Sequence, residues 1–174
     1  MTGACGDQPV DEAPGQATTT LVAAPSATPT SVAGRSYAAD FTSADGHRYR
    51  ITLALGARPA AGAVLDCPGA PTTGRYVLPV TLIVANAAAD RAAPFPPVRL
   101  ETGVPSGAKP APVMVRDTAG ACTASPRVAS VGAGASVVFN GTSPLIDEGA
   151  APGSAGRIEV KVSETTFSLS APLP

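Results

Sequence analysis

Residues 47–55 alternate between apolar and polar side chains, so the segment has one face of each kind. A period of two residues is typical of a β-strand with one buried face. The turn signal Ala44-Asp45-Gly46 precedes this segment, and we therefore expect a hairpin between strands at 36–42 and 47–55. The apolar face consists of Tyr49, Ile51, Leu53 and Leu55.

Residues 76–86 form the strongest predicted strand. Pro79 lies within it and cannot donate a backbone hydrogen bond, which predicts an edge or a bulge near that residue. Shorter strands are predicted at 98–101, 113–116, 127–130, 136–140, 157–163 and 166–170, and no segment longer than a turn or two has the period of an amphipathic helix. Eight or nine short strands separated by Gly and Pro favour an all-β sandwich.

Composition adds two constraints. The chain has 174 residues and is 44% hydrophobic, but 34 residues are alanine, and 18 Gly and 19 Pro favour turns over helices. The net charge near −1 argues against nucleic-acid binding, which requires a basic patch or stripe. No segment of the chain approaches the ~18 to 20 consecutive apolar residues that a membrane-spanning helix requires.

Residues 1–34 differ in composition from the remainder. They are rich in Pro, Ala, Gly, Ser and Thr and contain no aromatic residue. Such a segment buries too little surface to offset its chain entropy, so we predict a disordered tether. The composition changes at Arg35, and residues 35–174 are predicted to be one folded domain.

Cys5 is a candidate lipidation site. Gly3 and Ala4 precede it, and small residues directly before a cysteine resemble a bacterial lipobox, in which the thiol accepts diacylglycerol. Thr2 departs from that motif, where an aliphatic residue is usual. The charged and apolar regions of a signal peptide do not precede Cys5, and we expect them upstream of the sequence as given.

The overall layout resembles bacterial lipoproteins, notably of Gram-positives, that carry one immunoglobulin-like extracellular domain behind a low-complexity tether. The similar features are the long strand 76–86 ending in asparagine, the later strand 98–101, and the glycine-containing turn 131–135 that leads into 136–139. The resemblance implies an immunoglobulin-like antiparallel β-sandwich on the extracytoplasmic face of the membrane. Ten of the twelve basic residues are arginine, which indicates a high-GC, actinobacterial source.

Three cysteines are an odd number for an exported protein. Lipidation of Cys5 would leave Cys67 and Cys122, which we expect to form a disulfide in an oxidising compartment. Both lie in loop-like contexts and the chain has no tryptophan, so we predict a link between loops or strand ends rather than a pin through the core. A metal site is the alternative, but two thiols without a nearby histidine make an incomplete zinc set.

Candidate catalytic groups are few. His47 is the only histidine, follows a turn, and is expected to be exposed to solvent. Asp147 and Glu148 in a glycine-rich loop are weak Ca²⁺ candidates, and Asp66 and Asp117 are expected at the surface. Paired carboxylates for hydrolysis cannot be recognised without their spatial separation. We therefore predict no catalytic residue, no metal and no cofactor.

Phe95 is the one candidate for contact with a partner. It lies among prolines in the connection 87–97, and rigid proline-rich loops lose little entropy on docking; the alternative is that Phe95 caps the core. The sequence thus predicts a monomeric, lipid-anchored envelope protein that binds an unknown protein or envelope polymer. The alternatives are a carrier of a small apolar or lipidic ligand, which needs a cavity between the sheets, and a hydrolase, which needs convergent titratable groups.

Overall fold

The computed structural model describes residues 34–60, 63–67, 73–103, 109–149, 156–163, 165 and 167–173. Every regular element within these ranges is a β-strand, so the prediction of an all-β protein is confirmed. The predicted tether, with Cys5, lies outside the described residues except for Gly34. The strands are β1 (Arg35–Thr42), β2 (Arg48–Leu55), β3 (Arg75–Tyr76), β4 (Pro79–Asn86), β5 (Ala93–Pro94), β6 (Val98–Gly103), β7 (Val115–Arg116), β8 (Cys122–Thr123), β9 (Ser130–Val131), β10 (Ser136–Thr142), β11 (Ile146–Asp147), β12 (Arg157–Val162) and β13 (Ser168–Pro172).

The largest sheet has six antiparallel strands in the order β1-β2-β4-β10-β7-β8. The predicted hairpin of β1 and β2 is confirmed, with Phe41 opposite Tyr49 and Thr42 opposite Arg48. Gly46 closes its turn at a φ of 79°, a conformation that glycine adopts without strain. The predicted apolar face of β2 is also confirmed, because its four apolar residues are all buried.

A second sheet has the order β13-β12-β6, with Val160 opposite both Leu169 and Leu100. Inward-facing side chains of this sheet and of the six-stranded sheet belong to one hydrophobic core. The centre of that core is fully enclosed: Ile51, Leu53, Val80, Leu82, Val84, Leu100, Ile158 and Val160 are all 0% exposed. Two short pairs, β3 with β11 and β5 with β9, complete the described sheets.

The predicted strand at 76–86 is divided in two. β3 ends at Tyr76 and pairs with β11, whereas β4 begins at Pro79 and pairs with β2 and β10. The break falls at the proline because Pro79 has no backbone N–H with which to continue a ladder. The prediction of an edge or bulge near Pro79 is wrong, because β4 lies between β2 and β10 and pairs with both in an uninterrupted register.

Among the other predicted strands, three differ the most from the structure. The segment 127–130 is not a strand of its own, and only Ser130 joins the two-residue β9, which pairs with β5. The strand predicted at 113–116 is reduced to β7 at Val115–Arg116. The last strand is displaced toward the C-terminus, to Ser168–Pro172, because its register is set by pairing with β12.

Candidate functional site

β2 connects two ends of the molecule that have different chemistry. Residues 41, 43–45, 47, 49, 94–97, 162, 163 and 165 line a groove where β2 begins, which we call the Phe95 end. Residues 34, 35, 55–58, 76, 78 and 148 line a second groove where β2 finishes, which we call the Leu55 end. The eight-residue strand separates the two by roughly 25 Å.

The Phe95 end is a small apolar groove. Its volume is about 160 Å³, and aromatic and proline side chains make up much of its wall. The hydroxyl of Tyr49 donates to the carbonyl of Pro94 at 2.5 Å, which fixes the proline segment against the sheet. Burial, and then the charge of Asp45, raise the pKa of that hydroxyl, so it remains a hydrogen-bond donor at neutral pH.

Phe95 is half-buried rather than fully exposed. Its ring packs edge-on against Phe139, with 5.6 Å between the ring centroids and 72° between the planes. The expectation that Phe95 caps the core is therefore confirmed, since it packs against the core cluster. It also lines the groove, so its role as a partner contact stays a prediction.

A buried amide holds this end together. Asn86, which is 2% exposed, donates through Nδ2 to the carbonyls of Arg91 at 2.7 Å and Gly132 at 3.1 Å. Its Oδ1 accepts from the backbone N–H of Ala88 at 3.0 Å. One side chain thereby fixes the loops after β4 and β9 beside the proline segment. The sequence showed this asparagine at a strand end but not the two loops that its amide connects.

His47 is not paired with an acid. It is half-buried, which corrects the expectation of an exposed side chain, and its Nδ1 is buried without a hydrogen-bond partner among the described residues. Its backbone N–H donates to the hydroxyl of Ser43 at 3.1 Å within the turn. Asp45 lines the same groove but is not hydrogen-bonded to the ring.

Each of the acidic candidates has its own hydrogen-bond or ion-pair partner. Asp66 accepts from Arg116 at 3.0 Å, and Asp147 accepts from Arg75 at 2.6 Å. Asp117 accepts from the backbone N–H groups of a turn, and Glu148 pairs with Arg58. These carboxylates are not brought together with His47, and the described residues contain no cluster of three or more potential metal ligands.

Cys67 and Cys122 form a disulfide, with 5.5 Å between their Cα atoms and 55 residues between them in sequence. Cys67 lies in a bend, and Cys122 lies on β8 at the edge of the six-stranded sheet. The prediction of a link between a loop and a strand end is thus confirmed. The carbonyl of Cys67 accepts from the hydroxyl of Thr142 at 2.6 Å, which ties the bend to the finish of β10.

A pair of carboxylates was missed by sequence reasoning. Glu101 on β6 lies directly opposite Glu159 on β12, and their side chains are only 13% and 10% exposed. Lys161 contacts both carboxylates, and Arg157 donates to Glu159 at 2.5 Å. The alternation of charges in β12 placed Glu159 on the polar face, but the register with β6, which only the fold supplies, brings Glu101 beside it.

The ion pairs around Glu101 and Glu159 favour the charged forms of Glu159 and Lys161. Burial alone would raise the pKa of the Glu159 carboxyl, but hydrogen bonds from Arg157 and Lys161 outweigh it and lower that pKa below its ordinary value. Hydrogen bonds to Glu101 and then to Glu159 raise the pKa of Lys161. A carboxylate held ionised between cations is a poor general acid, so the arrangement is structural rather than hydrolytic in character.

The Leu55 end has a larger groove, of about 570 Å³. Leu55 and Leu78, which are 3% and 4% exposed, form its apolar floor, and the half-buried Tyr76 forms one wall. The guanidinium of Arg58 lies 4.6 Å from the centroid of the Tyr76 ring and pairs with Glu148. The sequence named Glu148 only as a weak Ca²⁺ candidate, because nothing in its pattern shows that Arg58 is beside it.

No helix among the described residues has the length and apolar character needed to cross a membrane. Comparison with known proteins assigns no family. No family model matches the chain, and no curated protein or solved structure matches it either.

Proposed function

We propose that this protein is a non-catalytic binding module, anchored by lipid at Cys5 to the extracytoplasmic face of the cell membrane. The Cys67–Cys122 disulfide supports the location, because such bonds persist in oxidising compartments. The lipobox-like residues before Cys5 support the anchor. The shared core of the six- and three-stranded sheets supports an immunoglobulin-like sandwich as the fold of residues 35–174.

The partner is a protein or an envelope polymer that docks at the Phe95 end. The observation that carries this proposal is the pre-formed apolar groove beside Phe95, with its proline segment fixed by Tyr49 and its loops fixed by Asn86. A rigid surface loses little conformational entropy on docking. An aromatic ring in an apolar groove is also the type of residue that dominates binding energy at interfaces.

Two alternatives receive less support. A carrier that holds its ligand between the sheets needs space there, but the inward-facing residues at the centre are 0% exposed and fill the interior. A hydrolase needs convergent titratable groups in a cleft, whereas His47 and Glu148 line different grooves. Glu101 and Glu159 do converge, but arginine and lysine neutralise them.

Site-specific crosslinking tests the docking proposal. We would replace Phe95 with a photoreactive benzoyl-phenylalanine and irradiate intact cells that express the full chain. Discrete crosslinked products are expected from position 95 but not from Leu145, which is 39% exposed and adjoins the β11–β3 pair. The absence of products at position 95, or identical products at both positions, would contradict the proposal.

Fractionation tests the anchor independently. The full chain, expressed with a secretion signal upstream, should sediment with membranes, and Cys5→Ser should release it because a thiol is required to carry the lipid. Ser26→Ala in the same segment is the matched control and should remain with membranes. If both variants behave alike, the anchor is wrong, but the Phe95 proposal is unaffected.

A further inference from the structure

The Leu55 end has the features of a small-molecule site. Its groove of about 570 Å³ falls within the range of roughly 300 to 1,000 Å³ that is usual for ligand pockets. Closely packed backbone shapes its rim: a Cβ built on Gly34 would lie 2.0 Å from the carbonyl oxygen of Leu55. Glycine is thus required where β1 meets the end of β2, and this close approach defines one side of the groove.

The charges around the groove favour an anion. Arg35 and Arg58 contribute two positive charges, and Glu148 contributes one negative charge, so the lining carries a net charge of +1. Arg35 has no ion-pair partner among the described residues. Two arginines thus line the groove, and only Arg58 is paired with a carboxylate among the described residues, so the lining charge favours a single carboxylate, sulfonate or phosphate group.

Arg58 is pre-positioned by two contacts. Its guanidinium lies over the ring of Tyr76, and one of its terminal nitrogens pairs with Glu148. A guanidinium has five N–H donors, and this pairing uses one terminal nitrogen, which leaves donors on the others. Planar guanidinium groups bind anions through two parallel hydrogen bonds, and prior fixation lowers the entropy lost on binding.

The floor of the groove requires an apolar body in the ligand. Leu55 and Leu78 lie beneath the charged rim, and Tyr76 adds an aromatic wall. We propose that the Leu55 end binds a monomeric amphiphile with one anionic head, which contacts Arg35 and Arg58, and an apolar body, which covers Leu55, Leu78 and Tyr76. The site lies at the opposite end of β2 from the Phe95 groove, and its failure would leave the docking proposal intact.

Binding of 1-anilinonaphthalene-8-sulfonate to the purified full chain tests this proposal, because that probe combines a sulfonate with apolar rings and fluoresces when it leaves water. Saturable binding at one site is expected, with displacement by dodecyl phosphate below its micelle concentration.

Ala57→Phe should abolish binding, because Ala57 lines the groove and the added ring would fill it. Ala60→Phe is the matched control, since Ala60 is exposed and not part of the lining. If wild type and Ala57→Phe bind the probe equally, and thermal unfolding curves show that both proteins are folded, the proposal is overturned.

The charge requirement has its own test. Arg35→Gln and Arg58→Gln should each weaken binding of dodecyl phosphate about tenfold, the effect usual for loss of one charged hydrogen bond. Neither should change the affinity for uncharged dodecanol, which is measured without the probe because the probe itself carries a sulfonate. Arg50→Gln, which removes an arginine paired with Asp40 outside the groove, should leave both affinities unchanged. Affinities that are independent of both arginines would contradict the assigned anion.

Two further probes distinguish a monomeric amphiphile from free phosphate and from a membrane surface as the ligand. Inorganic phosphate should compete weakly, because it lacks the apolar body. Vesicles of phosphatidylcholine and phosphatidylglycerol should not bind Cys5→Ser chains through this groove. Binding to vesicles that is lost in Ala57→Phe, without binding of monomeric dodecyl phosphate, would overturn the proposal in favour of a membrane surface. Equal competition by phosphate would likewise overturn it.

Discussion

The two ends of β2 differ in what shapes them. At the Leu55 end, glycine backbone, arginines and an ion pair surround an apolar floor in a groove of about 570 Å³. At the Phe95 end, aromatic rings and prolines leave only about 160 Å³. The same sheet thus presents a receptive groove at one end and a rigid apolar surface at the other, since loops rather than strands determine what each end can bind.

Different bonds also hold the two ends together. The disulfide and the hydrogen bond from Thr142 to Cys67 fasten the bend at Cys67 to β8 and to the finish of β10, where β4 begins. At the other end, where β4 finishes, the amide of Asn86 fastens the loops. A covalent link and a buried polar side chain therefore perform the same task at opposite ends, and each can be removed separately.

Loss of the disulfide should have the largest effect. The double substitution Cys67→Ala and Cys122→Ala is expected to lower the free energy of unfolding by up to about 4 kcal/mol, because the unfolded chain regains the entropy of a 55-residue loop. Urea denaturation of the double variant and of wild type measures the difference. Cys5→Ser is the control and should unfold like wild type. A loss below about 1 kcal/mol would show that the bond contributes little to this end.

Removal of the buried amide should have the next largest effect. Asn86→Ala is expected to cost about 3 kcal/mol, because the carbonyls of Arg91 and Gly132 and the N–H of Ala88 lose their partner in a buried setting. The matched control is Asn140→Ala, which loses one exposed hydrogen bond with Thr81 and should cost less than about 0.5 kcal/mol. Equal losses in the two variants would contradict the role given to Asn86. Crosslinking from position 95 should also weaken in Asn86→Ala alone.

The smallest expected effect is the pH dependence of stability that Glu159 contributes in the three-stranded sheet. Because the pKa of Glu159 is lower in the folded protein than in the unfolded chain, its contribution to stability is present above about pH 4.5 and is lost as the pH falls through the folded value. Thermal unfolding of wild type and Glu159→Gln from pH 7 to pH 3 measures this dependence. The difference between the two proteins should shrink as the pH falls. A difference that is constant with pH would contradict the assignment.

The sequence predicted features that depend on local pattern. The hairpin of β1 and β2 followed from alternation and the turn at Gly46, and the disulfide followed from the odd number of cysteines. The break before Pro79 was foreseen only as an irregularity, because the lost N–H is local but its pairing partners are not. Neither the opposition of Glu101 and Glu159 nor the contact of Arg58 with Tyr76 and Glu148 has a sequence signature. Both depend on registers and loop positions that join distant parts of the chain.

The most direct test of the two-ended account is an NMR titration of the ¹⁵N-labelled full chain with dodecyl phosphate. The account predicts that amide shifts change at Arg35, Gly56, Ala57 and Arg58, around the Leu55 end, and stay unchanged at Ser43, His47 and Phe95. Shifts that are centred on the Phe95 end, or that spread through core residues such as Leu82 and Val160, would contradict it.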